Sequence, residues 1–229
     1  MNIALIVFAG KGTRVKSPIP KQFIKIHDKE LVIYTIEQFQ KNQNIDEIVL
    51  VTHPDYIDLV KKLVKQYELS KVKNILPGGE TRQDSVRLGL LSMEYDEKDN
   101  VLIHDGDRPL VSQEIIDSNI NQLNEFSAVC TMIYHRNALK EVSNLGRNKK
   151  INDIDADIQT PQSFKFGLIK KYHLLRQNEE FSDDASIVER DIEVCYIPGN
   201  KYNFKITTDG DLEHFKNLIE QNEKNNWEH

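Results

Sequence analysis

The chain has 229 residues, enough to bury a full core in one domain, and its 39% apolar and 29% charged residues are those of a globular protein. A formal net charge of −6 argues against a surface that coats nucleic acid, so any basic cluster is local and serves a small anion. No apolar stretch is long enough to span a bilayer and the N-terminus has no basic flank with a cleavage site, which points to a cytoplasmic protein without a membrane partner.

In chain order, the first element is a β-branched apolar run at 3–8, which reads as a buried parallel strand. Helical periodicity follows at 31–42, a strand at 47–52, a helix at 55–67, a strand at 73–76 and a helix at 82–93. Then come a strand at 100–104, a helix at 112–124 and a strand at 127–133. The stretch 136–158 is polar and lacks helical period; it reads as an excursion from the sheet, with Ala138 to Val142 as a short strand before a turn at Asn144-Leu145-Gly146. A helix at 165–178, a strand at 192–197, a short strand ending at Asn203 to Thr208 and a helix at 209–223 complete the chain, the last fraying after Glu220. Strand–helix alternation predicts an α/β fold: a single domain built as a three-layer sandwich on a mainly parallel, doubly wound sheet, with 136–158 as a β-arm. Cys130 and Cys195 are too few and too far apart for a disulfide framework or metal knuckle and read as buried, inert thiols.

The first strand runs into a glycine-broken basic loop, Ala9-Gly10-Lys11-Gly12-Thr13-Arg14, followed by Pro20-Lys21-Gln22. Glycine lets a backbone approach a phosphate and turn its N–H groups toward it, while Arg14 and Lys21 add fixed positive charge. The loop therefore predicts a nucleoside triphosphate at the carboxyl end of the strand. It lacks the Gly-Lys-Ser/Thr of a P-loop and the third glycine of a dinucleotide fingerprint. His104-Asp105-Gly106-Asp107-Arg108-Pro109 follows another apolar strand, where Asp105 is placed to hold Mg²⁺ on the triphosphate. Period-two alternation puts Asp107 on the same side, and Arg108 is a candidate for a charge pair or a substrate phosphate. Gly78-Gly79-Glu80-Thr81-Arg82-Gln83-Asp84-Ser85 is a Gly-Gly turn with Thr81 as helix N-cap, suited to a base or ribose edge. Lys205 lies in an apolar alternation and, if buried, needs an anionic partner.

Together these segments resemble the methylerythritol-phosphate/ribitol-phosphate cytidylyltransferase family, from Ile3 to about Phe215. Its motifs appear here in family order as Ala9 to Arg14 with Pro20 to Gln22, Gly78 to Val86, His104 to Pro109, Gln159 to Gln162, Ser182 to Ser186 and Asn203 to Thr207. The resemblance implies a nucleotide-binding domain that forms a homodimer through its β-arm. It implies CMP transfer from CTP to a polyol phosphate, with Mg²⁺ and release of pyrophosphate. Carried over by position, Arg14, Lys21 and Lys205 are catalytic and orient or neutralise the phosphates. Ala9, Gly10, Lys11, Gly12, Thr13, Gly78, Gly79, Arg82, Ser85 and Asp105 bind the nucleotide, and Asp105 the metal.

The departures from the family pattern fall on the acceptor side. Asn137-Ala138 replaces the usual Asp-Thr, Asn152-Asp153 stands where the family carries an arginine, and Gly106-Asp107 replaces small apolar residues. Asp107, Arg108, Arg136, Asn137, Arg147 and Asn152 are therefore the candidate acceptor residues, with Arg136, Arg147 or Lys149 replacing the missing phosphate grip. This pattern predicts a CDP-polyol product for a surface polymer. Methylerythritol 4-phosphate is the alternative acceptor, and a metal-dependent glycosyltransferase using Asp105-Gly106-Asp107 the alternative of another class.

Overall fold

The computed structural model describes residues 1–10, 15, 17–134, 140–142, 148–150 and 156–225. In chain order the elements are β1 (Asn2–Phe8), β2 (Lys25–Ile26), β3 (Lys29–Glu30), α1 (Leu31–Lys41), β4 (Glu47–Thr52), α2 (Ile57–Gln66), β5 (Val72–Pro77) and α3 (Arg82–Leu91). They continue with β6 (Asn100–Asp105), α4 (Gln113–Gln122), β7 (Ala128–Tyr134), β8 (Lys140–Val142), β9 (Asn148–Lys150) and β10 (Ala156–Lys165). The last are α5 (Phe166–Leu175), α6 (Asp184–Val188), β11 (Cys195–Pro198) and α7 (Asp209–Asn225).

Seven strands form one sheet in the order β11-β7-β10-β6-β1-β4-β5. All neighbouring pairs are parallel except those of β10, which runs antiparallel to both β6 and β7. The alternation of side chains along β1 builds both halves of the core. Ile3, Leu5 and Val7 pack with Val86, Leu90 and Ile169 of α3 and α5, while Ala4, Ile6 and Phe8 pack with Ile36, Phe39 and Ile116 of α1 and α4. Both faces of the strand are covered, which is why its sequence is a continuous apolar run rather than an alternating one.

The architecture is the expected α/β sandwich on a mostly parallel sheet, but one central strand departs from the sequence reading. β10 was not expected, because Ala156-Asp157-Ile158-Gln159-Thr160-Pro161 has few β-branched residues and a proline. The ladder tolerates it because pairing with β7 breaks between Ile158 and Gln162, so Pro161 sits where no N–H is required. The Asn203–Thr208 segment joins no ladder; it is held instead by the Ile206 N–H donating to the Asp107 carbonyl at 2.9 Å. Strand β11 begins at Cys195 rather than 192, α7 continues past Glu220 to Asn225, and Cys195 is half-buried rather than buried. Within the 136–158 excursion, β8 and β9 pair as an antiparallel ribbon; the turn between them lies outside the described residues. Among the described residues no helix is long and apolar enough to cross a membrane.

Candidate active site

The carboxyl ends of β1 and β6 open beside the N-terminus of α3, where an α/β sheet presents its loops to a ligand. A cavity of about 240 Å³ lies there. Val7, Phe8, Ala9 and Gly10 form one wall, Gly79 to Arg82 with Ser85 a second, and Asp105, Asp107, Lys205, Thr207, Lys21 and Gln22 close it.

Local sequence explains each wall. Gln22 is buried in the turn after Pro20, and its amide donates to the carbonyls of Phe8 and Gly10, both at 3.0 Å, tying the loop's first residues to the end of β1. Thr81 caps α3 as expected: its hydroxyl accepts from the Asp84 N–H at 3.0 Å, and Asp84 reaches back to the Thr81 N–H. Ser85 Oγ accepts from the Gly79 N–H at 3.1 Å and donates to the Thr81 carbonyl at 2.9 Å, closing the Gly-Gly turn on the helix. Gly78 is behind the cavity wall rather than on it, where a Cβ would lie 2.3 Å from Ala9 Cβ. Asp211 accepts from both Thr207 and Thr208 N–H groups at 2.9 and 2.8 Å, anchoring the segment that carries Lys205 at the start of α7.

The charged groups form an alternating chain across the site. Lys21 Nζ lies 2.6 Å from Asp107 Oδ2 and donates to the Ile206 carbonyl at 2.5 Å. Lys205 Nζ lies 3.0 Å from Asp105 Oδ2 and 3.9 Å from Asp107 Oδ1. Arg82 spans two carboxylates, Nε to Asp105 at 2.7 Å and Nη2 to Asp184 at 2.8 Å. Burial alone would raise the pKa of Asp105, but Arg82, Lys205 and Arg108 outweigh it and hold the group well below the usual carboxylate range. Burial is likewise offset at Asp184, where Arg82 and His173 lower the pKa. His104, directly behind Asp105, is pushed down to about 3 by burial against a smaller opposing effect from its bond to the Arg108 carbonyl. Its ring lies 3.0 Å from Thr160 Oγ1 through Nδ1 and 3.1 Å from the Arg108 carbonyl through Nε2. Thr160 in turn accepts the Asp105 N–H at 3.1 Å, so the neutral Nε2–H tautomer completes a chain that positions Asp105.

Of the residues expected from sequence, the structure gathers Ala9, Gly10, Lys21, Gly79, Arg82, Ser85, Asp105, Asp107 and Lys205 around this one cavity. Arg108 does not line the cavity: it is buried, its Nε lies 3.5 Å from Asp105 as the charge-pair alternative expected, and its guanidinium donates to the carbonyls of Asn203 at 2.8 Å and Ile158 at 3.4 Å. Lys11, Gly12, Thr13, Arg14, Arg136, Asn137, Arg147 and Asn152 lie outside the described residues. Gln22, Glu80, Thr207 and Asp184 had no assigned role in the sequence reading; all four stood inside quoted motifs, but their place in the site emerges only in the fold.

Among the described residues no group of three or more His, Cys, Asp or Glu side chains forms a metal cage. Mg²⁺ is commonly held by one or two carboxylates plus substrate phosphates and requires no such cage. Asp105 and Asp107, which both line the cavity, are the carboxylates that could supply hard oxygen donors. The oxygens of Asp105 are already shared among cations, whereas Asp107 Oδ1 is buried and accepts no hydrogen bond from the described residues.

Residues 2–221 match the family model described as IspD, 2-C-methyl-D-erythritol 4-phosphate cytidylyltransferase. A relative from Thermosipho melanesiensis with that enzyme's name is 39% identical, covering 93% of this chain and 95% of the relative. A relative from Vibrio parahaemolyticus named ribitol-5-phosphate cytidylyltransferase is 37% identical, covering 97% and 98%. The crystal structure of 4-diphosphocytidyl-2C-methyl-D-erythritol synthase from Anaerococcus prevotii superposes with a TM-score of 0.83 at 29% identity, covering 96% of each chain.

Proposed function

The chain belongs to the IspD family of cytidylyltransferases, and on that premise we propose that it transfers CMP from CTP to an alditol phosphate, giving a CDP-polyol for a surface polymer. The observation that carries the transfer is the pair of ammonium groups, Lys21 and Lys205, set beside Asp105 and Asp107 in a cavity that also presents Gly79 and Ser85. The acceptor's phosphate oxygen forms a bond to the α-phosphorus of CTP as the bond to the pyrophosphate oxygen breaks, and pyrophosphate leaves with that electron pair. No covalent protein intermediate is needed, so catalysis is positioning and charge neutralisation. Lys21 and Lys205 stabilise charge on the transferred and leaving phosphates, with Arg14 in the same role. The Gly79–Ser85 turn holds the base or ribose, and Arg82 keeps Asp105 ionised. Asp105 would hold Mg²⁺, which supplies further neutralisation of phosphate charge.

Two proposals concern the arm. It reaches a second copy in a homodimer, a reading supported by the exposure of Tyr134 (53%) and Ile158 (37%) at its root. Its rewritten Asn137-Ala138 and Asn152-Asp153 set an acceptor other than methylerythritol 4-phosphate. That compound is the second reading, favoured by the description of the family model and the name of the Thermosipho relative.

Sedimentation of the full chain tests the homodimer, and pyrophosphate release from CTP and Mg²⁺ separates the two acceptor readings. The panel comprises methylerythritol 4-phosphate, the phosphates of ribitol, arabinitol, xylitol and mannitol, and glycerol phosphate. A dominant response to one alditol phosphate is expected. A response to methylerythritol 4-phosphate alone would transfer the assignment to the second reading.

A further inference from the structure

Among the described residues, the charges on the cavity wall balance: Lys21, Arg82 and Lys205 face Glu80, Asp105 and Asp107. An incoming triphosphate therefore meets ammonium groups that already have carboxylate partners, and each lysine it takes is taken from one of them. The two carboxylates are not equivalent in that exchange. If Lys205 leaves Asp105, the guanidinium groups of Arg82 at 2.7 Å and Arg108 at 3.5 Å remain. If Lys21 and Lys205 both leave Asp107, none of its recorded cationic partners remains. Asp107 is a partly enclosed group, its side chain 15% exposed, so water compensates only in part for the lost pair.

We propose that Asp107 is a positioning residue that stands in for phosphate: it holds Lys21 against the Ile206 carbonyl and is displaced when a polyphosphate takes both lysines. The inference rests on the CTP-dependent reading above and extends it to how the site chooses its ligand. Asp107 lies within ion-pair distance of both ammonium groups, so a ligand with a single phosphate can engage one lysine and leave Asp107 on the other. A triphosphate strips it of both. The carboxylate thus lowers ground-state affinity for CTP while keeping Lys21 at the place where phosphate charge arrives, an arrangement that avoids binding substrate as tightly as the transition state.

Calorimetric titration of CTP and CMP into the wild type and Asp107→Asn, in EDTA and again in Mg²⁺, tests it. In EDTA the variant is expected to bind CTP roughly three- to tenfold more tightly, the scale of one partly exposed ion pair, and CMP with less than about a twofold change. If the wild type binds CTP only with Mg²⁺, a gain of metal-free binding by the variant is the equivalent result. Unchanged or weaker CTP binding in a variant with wild-type melting temperature would overturn the inference, as would equal tightening of CTP and CMP. Asp107→Ser carries the same expectation and decides the matter if the asparagine variant does not fold. Failure of the wild type to bind CTP in either condition would overturn the cytidylyltransferase reading itself, a separate outcome.

Discussion

Arg82 is the cation on which the buried charge of the site depends, and replacing it by methionine has a calculable cost. Its guanidinium bridges Asp105, whose side chain is 7% exposed, and Asp184, 1% exposed. After Arg82→Met, Asp105 keeps Lys205 and Arg108, but Asp184 keeps, among the described residues, only His173 at 3.5 Å. Removing one partner of a buried pair costs about 3–5 kcal/mol. The lower end applies here, because Asp105 retains two cations and the Arg82 side chain is itself 29% exposed. A loss of about 3 kcal/mol lowers the melting temperature by roughly 6–12 °C in a domain of this size. The pH dependence has a definite sign. In the wild type the folded pKa values of Asp105 and Asp184 lie below 3.8, so their pairing contributes stability above that pH and loses it on acidification. In the variant, burial without the guanidinium moves Asp184 the other way, and protonation on acidification relieves the penalty. The deficit between variant and wild type, measured by urea unfolding, should therefore shrink between pH 7 and about pH 4.5, and Arg82→Met with Asp184→Asn should recover much of it. A deficit below about 1 kcal/mol, or one independent of pH, would refute the reasoning.

His104 and Gly78 offer two further tests. His104 is held neutral with a folded pKa of about 3 against 6.5 for an ordinary histidine, so its contribution to stability is complete above pH 6.5 and declines as pH falls from there toward 3. Wild-type unfolding free energy should fall through that window with a slope of up to about 1.4 kcal/mol per pH unit more than that of His104→Gln, as read by urea titration at several pH values. Gly78→Ala places a methyl 2.3 Å from Ala9 Cβ and 2.8 Å from Ser85 Oγ, forcing the end of β1 away from α3. Melting and CTP titration should show a loss of about 1–3 kcal/mol in stability and about tenfold in affinity; an unchanged melting temperature would mean that the Ala9 turn yields freely.

What the sequence determined by itself is what local physics controls. The apolar runs of β1, β4 and β6 name buried parallel strands, because both faces must be covered. Thr81 followed by Asp84 specifies a helix start within one turn, and Lys205 in an apolar alternation raised the question of an anionic partner, which the half-buried side chain has in Asp105. Tertiary structure decided the rest. β10 is a strand only because β6 and β7 offer it hydrogen bonds on both edges, which outweighs its weak propensity, and a break in the β7 ladder absorbs Pro161. Arg108 turned inward because the carbonyls of Asn203 and Ile158, 95 and 50 residues away, lie within its reach in the folded chain. The Arg82–Asp184 pair joins residues 102 positions apart, and Asp107 meets Lys21 across a turn no periodicity describes. Caps and strands are recorded in neighbouring residues; the partner of a buried charge depends on which distant segment excludes water from it, and that exists only once the chain has closed on itself.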